Sequence, residues 1–202
     1  LPSPDFNLDS LLKGQVIFAN QISAFGSNSL GTGRRNALQT AIADSGRGYF
    51  GIHASGDDQT GSNFWQWFRS ALHPMNYQGH GERTLGPVYK NPLMKEHIVT
   101  AGVLTAGMSP AMVPTSVDAQ GNDVLTPEPA RNIRNEWYYF GRDIRTDSVL
   151  GPRVTVLSLY DPRNLATNAL PTQYRRKGGN MYTYLYQVGS GMTHYLPAGH
   201  DN

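Results

Sequence analysis

Val16-Ile17-Phe18-Ala19 is a run of four apolar residues between Gln15 and Asn20. A short apolar run closed by a turn-former predicts a strand buried on both faces, as in a parallel sheet. Gly- and Ser-rich residues 26–33 read as a loop. Residues 33–45 place Leu38, Ala41 and Ile42 on one helical face, with Arg34, Arg35 and Gln39 outside. Thr32 suits the N-cap and Gly46 the stop. Gly48 to His53 reads as a second buried strand, followed by a small polar loop over 54–61. Ser62 can cap a helix through Leu72, with Phe64, Trp65, Phe68 and Leu72 on one face. Strand, helix, strand, helix at short spacing predicts right-handed βαβ units and a parallel sheet.

The second half is less regular. Pro87–Tyr89 and His97–Val99 are short strand candidates. Residues 105–130 carry Pro110, Pro114, Pro127 and Pro129 and read as an extended loop or insertion. Asn135–Phe140 is aromatic and half buried by pattern. Val154–Tyr160 alternates as a strand, and residues 161–180 turn polar again. Met181–Val188 and Met192–Leu196 are strands joined by the turn Gly189-Ser190-Gly191. There is no internal repeat.

The length of 202 residues suggests one domain. The 22 glycines and 13 prolines make it loop-rich. A net charge of +2 gives no argument for a nucleic-acid or membrane partner. No apolar stretch approaches the 18 or so residues of a membrane span. Cysteine is absent, which excludes a disulfide framework, a thiolate metal site and a thiol nucleophile. It leaves the compartment open.

The sharpest local feature is Gly51-Ile52-His53-Ala54-Ser55-Gly56-Asp57, between a predicted strand and a predicted helix. Ligands of open parallel α/β sheets sit beyond the carboxyl ends of the strands. His53 stands at such an end, in the layout of a nucleophile elbow. An imidazole there serves as a base or ligand; the plainer alternative is a buried strand-end histidine bonded to backbone. Gly199-His200-Asp201 also follows a predicted strand. His80 lies between Gly79 and Gly81, which let a ligand approach the backbone. Glu136 sits among Trp137, Tyr138 and Tyr139, where partial burial suits general acid or base work. Its alternative is a structural carboxylate beside Arg134 or Arg142. Trp65 and Trp67 offer faces for a sugar ring, or fill the core. Asp57 and Asp58 suit a helix N-terminus. His73, His97 and His194 lack zinc-motif spacing, so a metal site would need distant ligands. Arg175-Arg176-Lys177 reads as a solvated loop. No GxGxxG, P-loop or Gly-x-Ser-x-Gly motif occurs.

The segment Gly46 to Ser55 resembles the strand-and-turn signature of the ThuA-like, or trehalose-utilisation, family. Trp65 to Leu72 with His80-Gly81 resembles that family's helix and following Gly-His segment. Asn135-Glu136-Trp137-Tyr138 resembles its Asp-Glu-x-Tyr box, with Asn for Asp. Glu96 to Gly102 is similar to its His-Pro-Ile box without the proline. Gly189 through His200 resembles its ending, with Ser190 and Met192 as departures. The resemblance covers roughly residues 10–202. It implies a flavodoxin-like three-layer α/β sandwich with a mainly parallel sheet, related to class I glutamine amidotransferases. It implies one domain over 1–202, lacking the family's first strand and last helix, with insertions at 105–130 and 161–180. Those relatives carry a cysteine where His53 stands, so thiolate glutaminase chemistry is excluded here.

The resemblance also implies a role with carbohydrates, disaccharides or their keto-derivatives, and no cofactor. The expected pocket lies at the carboxyl edge of the sheet, with His53, Glu136 and His200 as catalytic groups. Trp65, His80 and Asp57 are the expected substrate contacts. The alternative is a non-catalytic module of a larger assembly, motivated by Asn135, Met192 and the missing proline after His97.

Overall fold

The computed structural model describes residues 15–20, 31–56, 65–75, 77–91, 108–142, 147–165 and 180–197. The chain divides into two compact units: 1–77 with 185–197, and 78–184 with 198–202.

In the first unit, β1 (Val16–Asn20), β2 (Gly48–Ile52) and β8 (Gly191–Leu196) run parallel, with Phe18, Phe50 and His194 in register. Burial alternates along these strands. Ile17, Ala19, Tyr49, Thr193 and Tyr195 are buried, while Val16 and Phe18 remain 58% and 53% exposed. The apolar run at 16–19 therefore covers both faces of a strand of which only one is packed. Phe18 still touches Phe50 at 5.3 Å between ring centres, and Phe50 touches His194 at 4.7 Å. Helix α1 (Gly31–Gln39) starts near the predicted position and buries Leu38. It continues as a wider π turn over Thr40–Asp44 that buries Ala41 and Ile42. Ser45 closes this turn by donating to the Thr40 carbonyl at 2.9 Å. The Ser190 amide, in the turn joining β7 (Asn180–Val188) to β8, donates to the Ala43 carbonyl at 2.7 Å. A Cβ at Gly189 or Gly191 would run into the carbonyls of Ala43 or Ile42, which explains both glycines.

The second unit holds β3 (Tyr77–Lys90), β4 (Ser109–Val117), β5 (Asp123–Phe140), β6 (Val154–Tyr160) and the start of β7. Its strands are ordered β7-β6-β3-β5-β4, with β3 antiparallel to β6 and β4 antiparallel to β5. Its core is aromatic: Tyr89, Trp137, Tyr138, Tyr160 and Tyr184 are buried. The polar tips of Tyr89, Trp137 and Tyr160 find backbone carbonyls, as buried Tyr and Trp require. Tyr160 donates to Tyr138 at 2.6 Å, Tyr89 to Pro114 at 3.2 Å, and Trp137 to Thr84 at 3.1 Å.

Two expectations are corrected. The proline-rich stretch inside 105–130 is not a loop: β4 and β5 form a long hairpin there. Its prolines fall at alternate positions, with Pro110 opposite Pro129. Their missing amides lie where no bond to the hairpin partner is due. Asp118 builds the turn by accepting from the amides of Gln120 and Asn122.

The flavodoxin-like, mainly parallel three-layer sandwich is also overturned. Strand pairing is mixed and mostly antiparallel: β1, β2 and β8 run parallel, whereas β3 is antiparallel to β6 and β4 to β5. Direct turns at 118–122 and 189–190 leave no room for a crossover helix, so they impose antiparallel neighbours. Among the described residues, the only helical stretches beyond 3₁₀ turns are 31–44 and the one ending at Leu72.

Candidate functional site

His53 follows β2 directly and opens a 3₁₀ turn, His53–Gly56. Its φ is +49°, the one positive value at a non-glycine among the described residues. Such a left-handed backbone costs an L-residue about 1–2 kcal/mol. The residue is only 3% exposed. Tyr195 of β8 donates its hydroxyl to the His53 carbonyl at 2.7 Å, and Tyr49 of β2 donates to the Ser55 carbonyl at 3.5 Å. Gly51 leaves the space these groups occupy: a Cβ there would stand 2.7 Å from Ser55 Oγ and 2.9 Å from the Tyr49 ring. Burial pushes the Tyr49 phenol well above its usual range, so it stays a donor. His73 packs against Phe68, Tyr195 and Tyr49, at ring distances of 4.8, 4.9 and 5.7 Å. Burial lowers its pKa to about 3, so the ring is neutral at ordinary pH.

Trp65, expected to offer a sugar platform, is 8% exposed. It packs on Trp67 and Phe68, with the Arg35 guanidinium 5.7 Å from its ring centre. Its ring is thus mostly covered by neighbouring side chains. Asp57, His200 and His97 lie outside the described residues.

In the second unit, His80 of β3 and Glu136 of β5 meet across neighbouring strands. His80 Nδ1 lies 3.4 Å from Glu136 Oε1, with side chains 44% and 18% exposed. The His80 ring stacks on Tyr138 at 5.8 Å. Glu136 and Tyr138 are two apart on one strand and so share a face. Asn135, buried, donates from Nδ2 to the Glu136 carbonyl at 2.9 Å. His80 Nδ1 also lies 3.3 Å from the Gly81 carbonyl. In the tautomer that carries its proton on Nδ1, the ring faces both acceptors and Nε2 is the proton-accepting nitrogen. An accessible imidazole beside a carboxylate has the chemistry to move a proton.

His80 and Glu136 are thus brought together, and His53 belongs to the other unit. Among the described residues no three His, Asp or Glu side chains gather where a metal ion would bind. Sequence pattern names Tyr138 only as a neighbour of Glu136, and it gives no role to Tyr195, Tyr49 or His73. Tyr138 was within reach through the period-two strand pattern, which puts it beside Glu136. Tyr195 required the register that sets it opposite Gly51.

No protein-family model matches the chain, and no curated protein matches it either. Two solved structures do. One is a protein of Bacteroides uniformis described as ThuA-like, with TM-score 0.60 and 17% identity over 98% of this chain and 66% of that one. The other is a protein of Parabacteroides merdae described in the same way, with TM-score 0.54 and 11% identity over 100% of this chain and 67% of that one. The chain spans about two thirds of the length of each. At these identities the likeness is one of fold, and the chain has the fold of the ThuA-like proteins.

Proposed function

We propose that this domain handles a carbohydrate, a disaccharide or a keto-sugar derived from one, with His80 and Glu136 as its proton-moving pair. The contact between these two side chains, half open to solvent and backed by Tyr138, carries the reading. The carbohydrate itself comes from the resemblance set out above. In this mechanism His80 Nε2 takes a proton from the carbon beside a keto group, and the C–H electron pair moves onto the keto oxygen to give an enolate. Glu136 steadies the imidazolium, which returns the proton to that carbon as the enolate electrons re-form the C–H bond and the keto group. Tyr138 offers an aromatic face beside the pair. His53, in the other unit, is a separate candidate imidazole at the carboxyl end of β2.

Calorimetric titration with disaccharides and their keto-derivatives tests this. The wild type should bind, and His80→Ala or Glu136→Gln should weaken binding by roughly tenfold or more while melting stays within a few degrees, as expected for side chains outside the fully buried core. A wild type that binds none of these sugars overturns it.

The burial of His53 and Trp65, together with the exposed Val16, Phe18 and Met192, favours a second reading. In it the domain is a non-catalytic module of a larger assembly. Its expected result is a silent titration.

A further inference from the structure

We propose that Tyr195 is a positioning residue whose hydroxyl holds His53 in its left-handed backbone conformation. It thereby sets the direction in which the imidazole leaves the end of β2. The inference rests on the reading of His53 as a site residue and concerns what keeps it in place.

Four independent features converge on one turn. The Tyr195 hydroxyl reaches the His53 carbonyl at 2.7 Å, in a buried position. The Tyr49 hydroxyl reaches the carbonyl two residues further on. Gly51, opposite Tyr195 in the β2–β8 register, lacks the Cβ that would collide with Ser55 and Tyr49. His73 packs edge-on against both phenols and keeps them from swinging.

Glycine would adopt this turn without strain, and so would need less to hold it. Here a histidine takes it, and the surroundings supply the hold. Strain kept at a residue by its neighbours is the pattern of positions whose side chain must point one way. Without the hydroxyl, His53 can relax toward extended backbone, and its Cβ then swings to a different bearing.

Tyr195→Phe, His53→Gly and the double variant decide the matter. The readouts are the His53 backbone ¹³C shifts, its H–N–Cα–H coupling and its ring titration, all by NMR, with thermal melting alongside. Tyr195→Phe should move the backbone signals of His53 from left-handed toward extended values. It should also shift the ring midpoint by about 0.5 pH unit or more, a change of environment that a lost structural contact elsewhere would not produce. Melting should fall less in the histidine background than in the glycine one, because relaxation of His53 returns its backbone strain. If Tyr195→Phe fails to fold, the double variant should fold, because glycine removes the strain. Unmoved His53 signals with equal melting losses in both backgrounds would overturn the proposal. So would a double variant that stays unfolded while His53→Gly folds. None of these readouts uses a sugar. A domain that binds no disaccharide yet shows the backbone shift keeps this inference and loses the carbohydrate reading.

Discussion

His73 is enclosed by Tyr49, Phe68 and Tyr195, and burial takes its pKa from 6.5 down to about 3. Between those values the unfolded chain holds one more proton than the folded one. Stability is therefore full above the unfolded value and falls as pH drops toward the folded one, by about 1.4 kcal/mol per pH unit. Denaturant titrations between pH 7 and pH 4 should show this slope, and His73→Phe should remove it. The same slope in the variant would assign the proton uptake to another group. Asp118 and Asp147 act in a lower window. Backbone amides, chiefly those of Asn122 and Leu150, hold their carboxyls below the usual range. Their contribution is present above the ordinary carboxylate range and is lost as pH falls through the depressed values.

At the scale of elements, the docking of the β7–β8 turn on the π turn at 40–44 leaves no room for a side chain at Gly189 or Gly191. Gly191→Ala would drive a methyl into the carbonyls of Ile42 and Arg47. Urea unfolding should show a loss of about 2 kcal/mol or more. Gly33→Ala is the control: a Cβ there meets nothing within 4 Å. It lies in α1, where alanine replaces glycine with a gain of up to about 1 kcal/mol. A loss at Gly33, or none at Gly191, would contradict this account of the turn.

For the molecule as a whole, ligand linkage separates the two functional readings. A sugar that binds only the folded state at about 100 times its Kd raises stability by about 2.7 kcal/mol. Thermal melting with a disaccharide in that excess should therefore move upward under the carbohydrate reading and stay fixed under the module reading. His80→Ala should abolish the shift, since its imidazole is the accessible member of the pair.

Local pattern alone determined β1, α1, β2, β6 and the β7–β8 turn, because hydrophobic periodicity and glycine geometry act over a few residues. It also placed His53 at a strand end and Glu136 among aromatic rings. Strand partners were beyond its reach, because pairing joins residues far apart in the chain. So the proline-bearing segment read as a loop became a hairpin, and the expected parallel sheet became a mixed one. The same holds for the site. His80 and Glu136 stand 56 positions apart and meet only because β3 lies beside β5. Tyr195 reaches His53 across 142 positions because β8 lies beside β2. Residue chemistry was legible where it is intrinsic to a side chain; its combination into pairs and clamps was decided by tertiary packing, which alone sets distance.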